Sequence, residues 1–113
     1  MVKYSQESLD STFTALSDGT RRAILARLAK GEALVSELAQ PFDMSLPAVS
    51  KHLNVLERAG LIRREKDGRI RRCYLQATPL KDVAEWLQFY QQFWGAQLDS
   101  LADYLQSTDN KEN

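Results

Sequence analysis

SLPAVSKHLNVLERAG, from Ser45 to Gly60, followed by LIRREKDGRIRRCYL, from Leu61 to Leu75, decides the fold of this chain. Ser45 offers a side-chain oxygen to the unpaired N–H groups of a helix start, and Pro47 in the first turn lacks only a donor not needed there. Val49, Leu53 and Leu56 recur at three- and four-residue spacing and form one buried stripe. Ser50, Lys51, Asn54 and Arg58 fall off that stripe, while Leu46 and Pro47 sit at the exposed N-terminal tip. Gly60 stops the helix. Behind it, Asp67-Gly68 predicts a two-residue hairpin turn joining strands near Leu61–Lys66 and Arg69–Gln76.

Upstream of this block the pattern stays helical. Leu9, Phe13 and Leu16 are spaced to bury one face of a helix over about 5–16. Asp18 is an N-cap for GTRRAILARLAK, where Ile24, Leu25 and Leu28 share a face and Gly31 serves as C-cap. A shorter helix fits Leu34 to about Gln40, with Val35, Leu38 and Ala39 inward, ended by Pro41. The order is therefore helix, turn, helix, hairpin, which is how a winged helix-turn-helix is built. Such modules place the second helix in the DNA major groove and the wing on flanking phosphates.

The charge distribution agrees. The chain has 15 Lys and Arg against 15 Asp and Glu, a net charge of zero. Yet residues 44–74 carry eight basic side chains (Lys51, Arg58, Arg63, Arg64, Lys66, Arg69, Arg71, Arg72) against Glu57, Glu65 and Asp67. Phosphate binding depends on the local patch, because potentials fall off over about 8–10 Å in physiological salt. The bland alternative is a solvated charged face.

After Thr78-Pro79 the spacing predicts a last helix over about 80–105, near 40 Å long at about 1.5 Å per residue. Leu80, Val83, Leu87, Tyr90, Trp94, Leu98, Leu101 and Leu105 make one stripe, widened by Trp86, Phe89 and Phe93. One small domain cannot cover so much apolar surface, so the stripe implies a partner interface, with intramolecular core as the alternative. Gly95 weakens a helix by roughly 1 kcal/mol and leaves room for a neighbouring helix. Residues 107–113 read as a disordered tail, so a single domain spans 1–106.

Composition narrows the function classes. At 113 residues, 43% hydrophobic and 27% charged, this is ordinary globular composition. No run approaches the roughly 18 apolar residues of a membrane span, and MVKYSQESLD lacks a secretory core, so a cytoplasmic location is expected. One cysteine, Cys73, and one histidine, His52, leave no disulfide framework, cysteine-rich metal site or catalytic constellation. An enzyme is not expected.

ALSDGTRRAIL (Ala15–Leu25), PFDMSLPAVSKHL (Pro41–Leu53), VLERAGLI (Val55–Ile62) and the Asp67-Gly68-Arg69 tip resemble the ArsR family of bacterial winged-helix repressors. The similarity runs from about Leu9 to Leu105. It implies a homodimer joined through the first and last helices, here Leu9, Phe13, Leu87, Tyr90, Trp94, Leu98 and Leu101, binding an inverted-repeat operator. Many members of that family sense metals. The thiolate positions of its third helix fall on Leu34 and Ser36, which are not ligands. Its site on the last helix needs histidine with carboxylates, and only Asp82, Glu85, Asp99 and Asp103 are present. The resemblance is thus to the metal-independent branch, with no cofactor. Gly19 stands where relatives often have proline, and Cys73 where close relatives often carry an aromatic. Cys73 reads either as an inward-packed strand residue or as a thiolate favoured by Arg71 and Arg72. His52 reads as a hydrogen-bonded structural histidine or a pH switch.

From these residues we expect Ser45, Leu46, Pro47, Ser50, Lys51 and Asn54 to face DNA from the recognition helix. Lysine suits guanine acceptors, asparagine suits adenine, and Leu46 and Pro47 suit a thymine methyl. Arg63, Arg64, Lys66, Arg69, Arg71 and Arg72 are the wing candidates for phosphate or minor groove, though strand alternation lets only about half face DNA together. The competing reading is a protein-interaction module that keeps the fold and binds through the aromatic last helix. A small-molecule pocket near Trp86, Tyr90 or Trp94 remains open, as does the existence of any effector.

Overall fold

A computed structural model describes residues 5–112, the side chains of 96–100 and 107–112 excepted. Five helices and three strands follow one another: α1 Gln6–Leu16, α2 Gly19–Leu28, β1 Ala33–Leu34, α3 Val35–Ala39, α4 Leu46–Arg58, β2 Ile62–Asp67, β3 Ile70–Leu75 and α5 Thr78–Glu112. The chain divides into two units, residues 1–83 and 84–113. The first holds the helix-turn-helix and its sheet; the second is the remainder of α5.

The N-caps predicted at Asp18 and Ser45 form and Ser5 adds a third, while α2 ends at Leu28 with Ala29 as its C-cap, two residues before the expected Gly31. Ser5, Asp18 and Ser45 each accept a hydrogen bond from the backbone N–H three residues on, at the starts of α1, α2 and α4. α4 closes as a Schellman turn: Gly60 N–H donates to Glu57 O, Leu61 N–H donates to Leu56 O, and Gly60 takes φ +77°. A side chain at that φ would strain the backbone, so glycine is required where the chain turns from helix to wing.

Val49, Leu53 and Leu56 of α4 are fully buried and centre the core. Around them lie Ile24, Leu25 and Leu28 of α2, Leu38 of α3, and Leu61, Ile62 and Cys73 at the sheet. α1 turns Leu9, Thr12 and Ala15 inward and leaves Phe13 on its exposed side. Thr12 is the one buried polar side chain among the described residues, and its hydroxyl donates to Ser8 O.

Four expectations shift. The wing belongs to a three-stranded antiparallel sheet of order β1-β3-β2, not to a lone hairpin. Ala33 and Leu34 pair with Cys73 and Arg72, so Leu34 is strand rather than the first residue of α3. The hairpin loop is Gly68-Arg69, since Asp67 still pairs with Ile70. Gly68 at φ +64° takes the first loop position and Arg69 follows with negative φ, as in type II′ turns. The aspartate therefore ends β2 and does not turn. Finally α5 starts at Thr78 and runs to Glu112, past the expected boundary at Leu105 and through most of the segment expected to be a disordered tail. No glycine or proline follows Gly95 to interrupt the helix.

Candidate DNA interface

α4 presents its N-terminal end and one ridge to solvent. Ser45, Leu46 and Pro47 are exposed at the tip, Leu46 at 55%. Lys51 and Asn54 follow on the same exposed ridge, with Arg58 one turn further. Ser50 differs: it is half-buried and looks across a cleft of about 520 Å³ towards the wing. Leu34, Leu46, Lys66, Arg69 and Ile70 also line this cleft. The recognition helix and the wing thus frame one concave surface with a largely apolar floor and a basic rim.

The six wing cations sort by strand alternation and by partner. Arg63 and Arg72 lie on the face away from Ile62 and Cys73. Arg63 contacts Glu65 at 3.2 Å and stacks over the Tyr74 ring at 4.6 Å, while Arg72 reaches Glu32 at 3.3 Å. Arg64 is on the opposite face and turns back onto α4, donating to Asn54 Oδ1 at 2.6 Å and to Glu57 Oε1 at 2.8 Å. Lys66, Arg69 and Arg71 are exposed, and among the described residues none of them, nor Lys51 or Arg58, has an ion pair. Of the sequence candidates, then, Lys51, Lys66, Arg69 and Arg71 ring the cleft or its helix with unneutralised charge. Arg63, Arg64 and Arg72 are engaged within the chain.

Two arginines that sequence reasoning left unassigned hold the first two helices together. Arg21 donates from Nε to Ala15 O and from Nη2 to Thr14 O, and Arg22 donates from Nη1 to Leu16 O. These carbonyls end α1, where a cation also meets the negative end of the helix dipole. The signal was the TRR run straight after a cap, but nothing local says which carbonyls it reaches. Arg21 Nη1 also lies 3.3 Å from His52 Nδ1 on α4. A guanidinium only donates, so Nδ1 accepts there. His52 is a hydrogen-bonded structural residue joining α2 to α4. Asp18 Oδ1 stands 3.8 Å from the same ring nitrogen, and the Arg21 backbone N–H holds the Asp18 carboxyl below its ordinary pKa.

Cys73 is completely buried, and burial pushes its thiol pKa up. The guanidinium that opposes this shift is Arg64, not Arg71 or Arg72. The inward-packed reading is the one the geometry supports.

The candidate interface residues of the last helix fall in the second unit. Leu87 is half-buried, Tyr90, Trp94 and Leu101 are exposed, and Leu98 lies outside the described residues. Phe89 and Phe93 are each 64% exposed. Trp86, Tyr90, Phe89 and Phe93 stack edge to face or tilted along the helix, with centroids 5.0 to 6.3 Å apart. Leu9, expected beside them at an interface, is buried within the chain. At the positions where metal-sensing relatives place ligands, Leu34 and Ser36 offer no thiolate, and no His/Cys/Asp/Glu cluster that could hold a metal forms among the described residues. Among those residues, too, no helix is long and apolar enough to cross a membrane.

Comparison with known proteins fits this geometry. Residues 16–65, from the end of α1 to mid-β2, match a helix-turn-helix domain family. The chain is 41% identical over 100 residues to the HTH-type transcriptional regulator Rv2034 of Mycobacterium tuberculosis, covering 88% of this chain and 91% of that one. It is 35% identical to the transcriptional repressor SdpR of Bacillus subtilis, covering 70% and 88%. Among solved structures, an ArsR family transcriptional regulator superposes with a TM-score of 0.78 at 48% identity, over 84% of this chain and 97% of that one. An ArsR-like regulator from Rhodococcus sp. RHA1 gives 0.66 at 34% identity, over 87% and 92%. A capped recognition helix, a basic wing that a short strand extends to a three-stranded sheet, and relatives matched over nearly their whole length place this chain in the ArsR family of winged helix-turn-helix, DNA-binding transcriptional regulators.

Proposed function

We propose that the protein is a homodimeric repressor acting in the cytoplasm, without metal, cofactor or catalytic activity, on an operator that is an inverted repeat. The observation that carries this reading is the group of unpaired cations, Lys51, Lys66, Arg69 and Arg71, around the exposed start of α4. Unneutralised charge at the tip of a wing is costly in self-repulsion unless an anion meets it, and a duplex supplies a dense array of phosphates. Pairing two copies would set the recognition helices into successive major grooves about 34–36 Å apart. Phe13, Leu87, Tyr90, Trp94 and Leu101 are the contact candidates. Repression is the role named for SdpR, and it is carried to this chain as part of the proposal.

Selection from a random duplex library with chelator-treated protein, at low and moderate salt, tests it. The expected result is an enriched inverted repeat with half-sites about one helical turn apart. Binding lost steeply with salt and without any enriched sequence would reduce the protein to a generic phosphate binder. No binding at low salt would instead favour a protein-interaction module working through α5.

A further inference from the structure

Asn54 and Glu57 stand one turn apart on α4, and a single guanidinium from β2 holds both. Arg64 begins beside the buried core, paired across the sheet with Cys73, and is half-buried where Lys66, Arg69 and Arg71 are exposed. Its Nη2 donates to Asn54 Oδ1 at 2.6 Å and to Glu57 Oε1 at 2.8 Å. Arginine has five donors and no acceptor, so the Asn54 amide can meet it only with its oxygen. The Nδ2 hydrogens then point the other way. The side chain that the sequence offers as a two-way reader, donor and acceptor at once, is held in one of its two orientations.

From this we infer that Arg64 is a positioning residue for base recognition: it fixes the Asn54 amide so that Nδ2 leads, making Asn54 a reader of hydrogen-bond acceptors in the major groove. Those acceptors are guanine O6 and N7, adenine N7 and thymine O4; cytosine N4 and adenine N6 are donors and are disfavoured. Glu57 supplies the counter-charge that keeps Arg64 on α4 and off the phosphates. The inference rests on α4 being the recognition helix.

The test is library selection with wild type, Arg64→Met, Asn54→Ala and Asn54→Asp, with the salt slope measured for each. Arg64→Met keeps the length and apolar stem of the side chain and removes its donors. It frees the amide to flip, so discrimination against donor bases at one base pair per half-site drops about tenfold or more, while the salt slope is unchanged. Asn54→Ala abolishes preference at that same pair, and a variant carrying both Arg64→Met and Asn54→Ala behaves like Asn54→Ala alone. Asn54→Asp keeps an oxygen for Arg64, and so keeps the fold, but has no donor; its preference moves to cytosine or adenine at that pair. This last variant tests the orientation even if Arg64→Met is too unstable to purify. Uniform weakening with a slope about one unit smaller in Arg64→Met would show Arg64 on a phosphate and overturn the inference. Unchanged preference in folded Arg64→Met, or in Asn54→Asp, would overturn it as well. If Asn54→Ala leaves every preference intact while wild type still selects a repeat, α4 reads bases without Asn54 and the inference falls with the repressor reading standing. If wild type selects nothing, both fall.

Discussion

Arg63 and Arg69 have the same side chain in the same hairpin and different chemistry. Arg63 is engaged by Glu65 and by the Tyr74 ring, whereas Arg69 sits in the loop and forms no ion pair among the described residues. Arg69→Ala should therefore weaken binding to all duplexes similarly and lower the salt slope by about one unit, and Arg63→Ala should leave the slope nearly unchanged. Equal slopes for the two variants, read by fluorescence anisotropy across a salt series, would sink that division. Cys73 gives a second residue-level prediction. Its buried, upward-shifted thiol should resist a thiol-reactive dye in the folded protein and react only in denaturant; rapid labelling of native protein would mean the strand opens. Both outcomes depend on partners across the sheet. The six basic wing residues were legible from the chain as a group, and alternation foretold that they would divide. Which of them find partners was not, because Glu32, Glu57 and Tyr74 lie up to 40 residues away in sequence.

Among the elements, α4 was the most legible and its energetics are the easiest to check. Ser45 caps it through Ala48 N–H, and Leu53 is fully buried beneath it. Ser45→Ala should cost about 1 kcal/mol, and Leu53→Ala about 2–5 kcal/mol, in urea unfolding. A smaller loss for Leu53→Ala than for Ser45→Ala would contradict α4 as the centre of the core. Acid should reach the same element. Glu57 is held below its ordinary pKa by its hydrogen bond from Arg64, and Asp18 by the Arg21 backbone N–H. A depressed carboxyl pKa adds stability above its unfolded value, and that stability is lost as pH falls through the folded one. The wild type should thus lose stability below about pH 4, and Glu57→Gln should lose less over that range, followed by denaturant midpoints against pH. β1 was the least legible element. Two residues, Ala33 and Leu34, cannot show alternation, and their pairing is decided by β3, some forty residues later. The turn was misplaced by one residue for a related reason: Asp67-Gly68 looks like the loop, but the register puts Gly68 first and Arg69 second.

For the molecule as a whole, α5 sets the open account. Phe89, Phe93, Tyr104, Leu101 and Leu105 are more than half exposed in one copy, a larger apolar display than a monomer usually shows. Replacing Tyr90 and Trp94 together by glutamate should convert the proposed dimer to monomer in sedimentation velocity. It should weaken operator binding by a hundredfold or more, because the two half-sites would then be bound separately. A variant that stays dimeric would move the interface away from those residues. The amphipathic stripe predicted this exposure; the length of the helix it did not predict, since the polar run after Leu105 has neither a stop residue nor a stripe to mark its end.

The alternation of the wing also limits how this surface can change by descent. Lys66 and Arg71 share one face of the ribbon with Arg64, and Arg63 and Arg72 share the other. Inserting a single residue in β2 before Lys66 would swap the two faces of its tip, turning the lysine away from the cleft and an acidic neighbour into it. Adding one residue to each strand at the tip keeps every older side chain on its face. Wings of this lineage are therefore expected to grow or shrink in matched steps on both strands, and odd-length variants on one strand should lose operator binding while remaining folded.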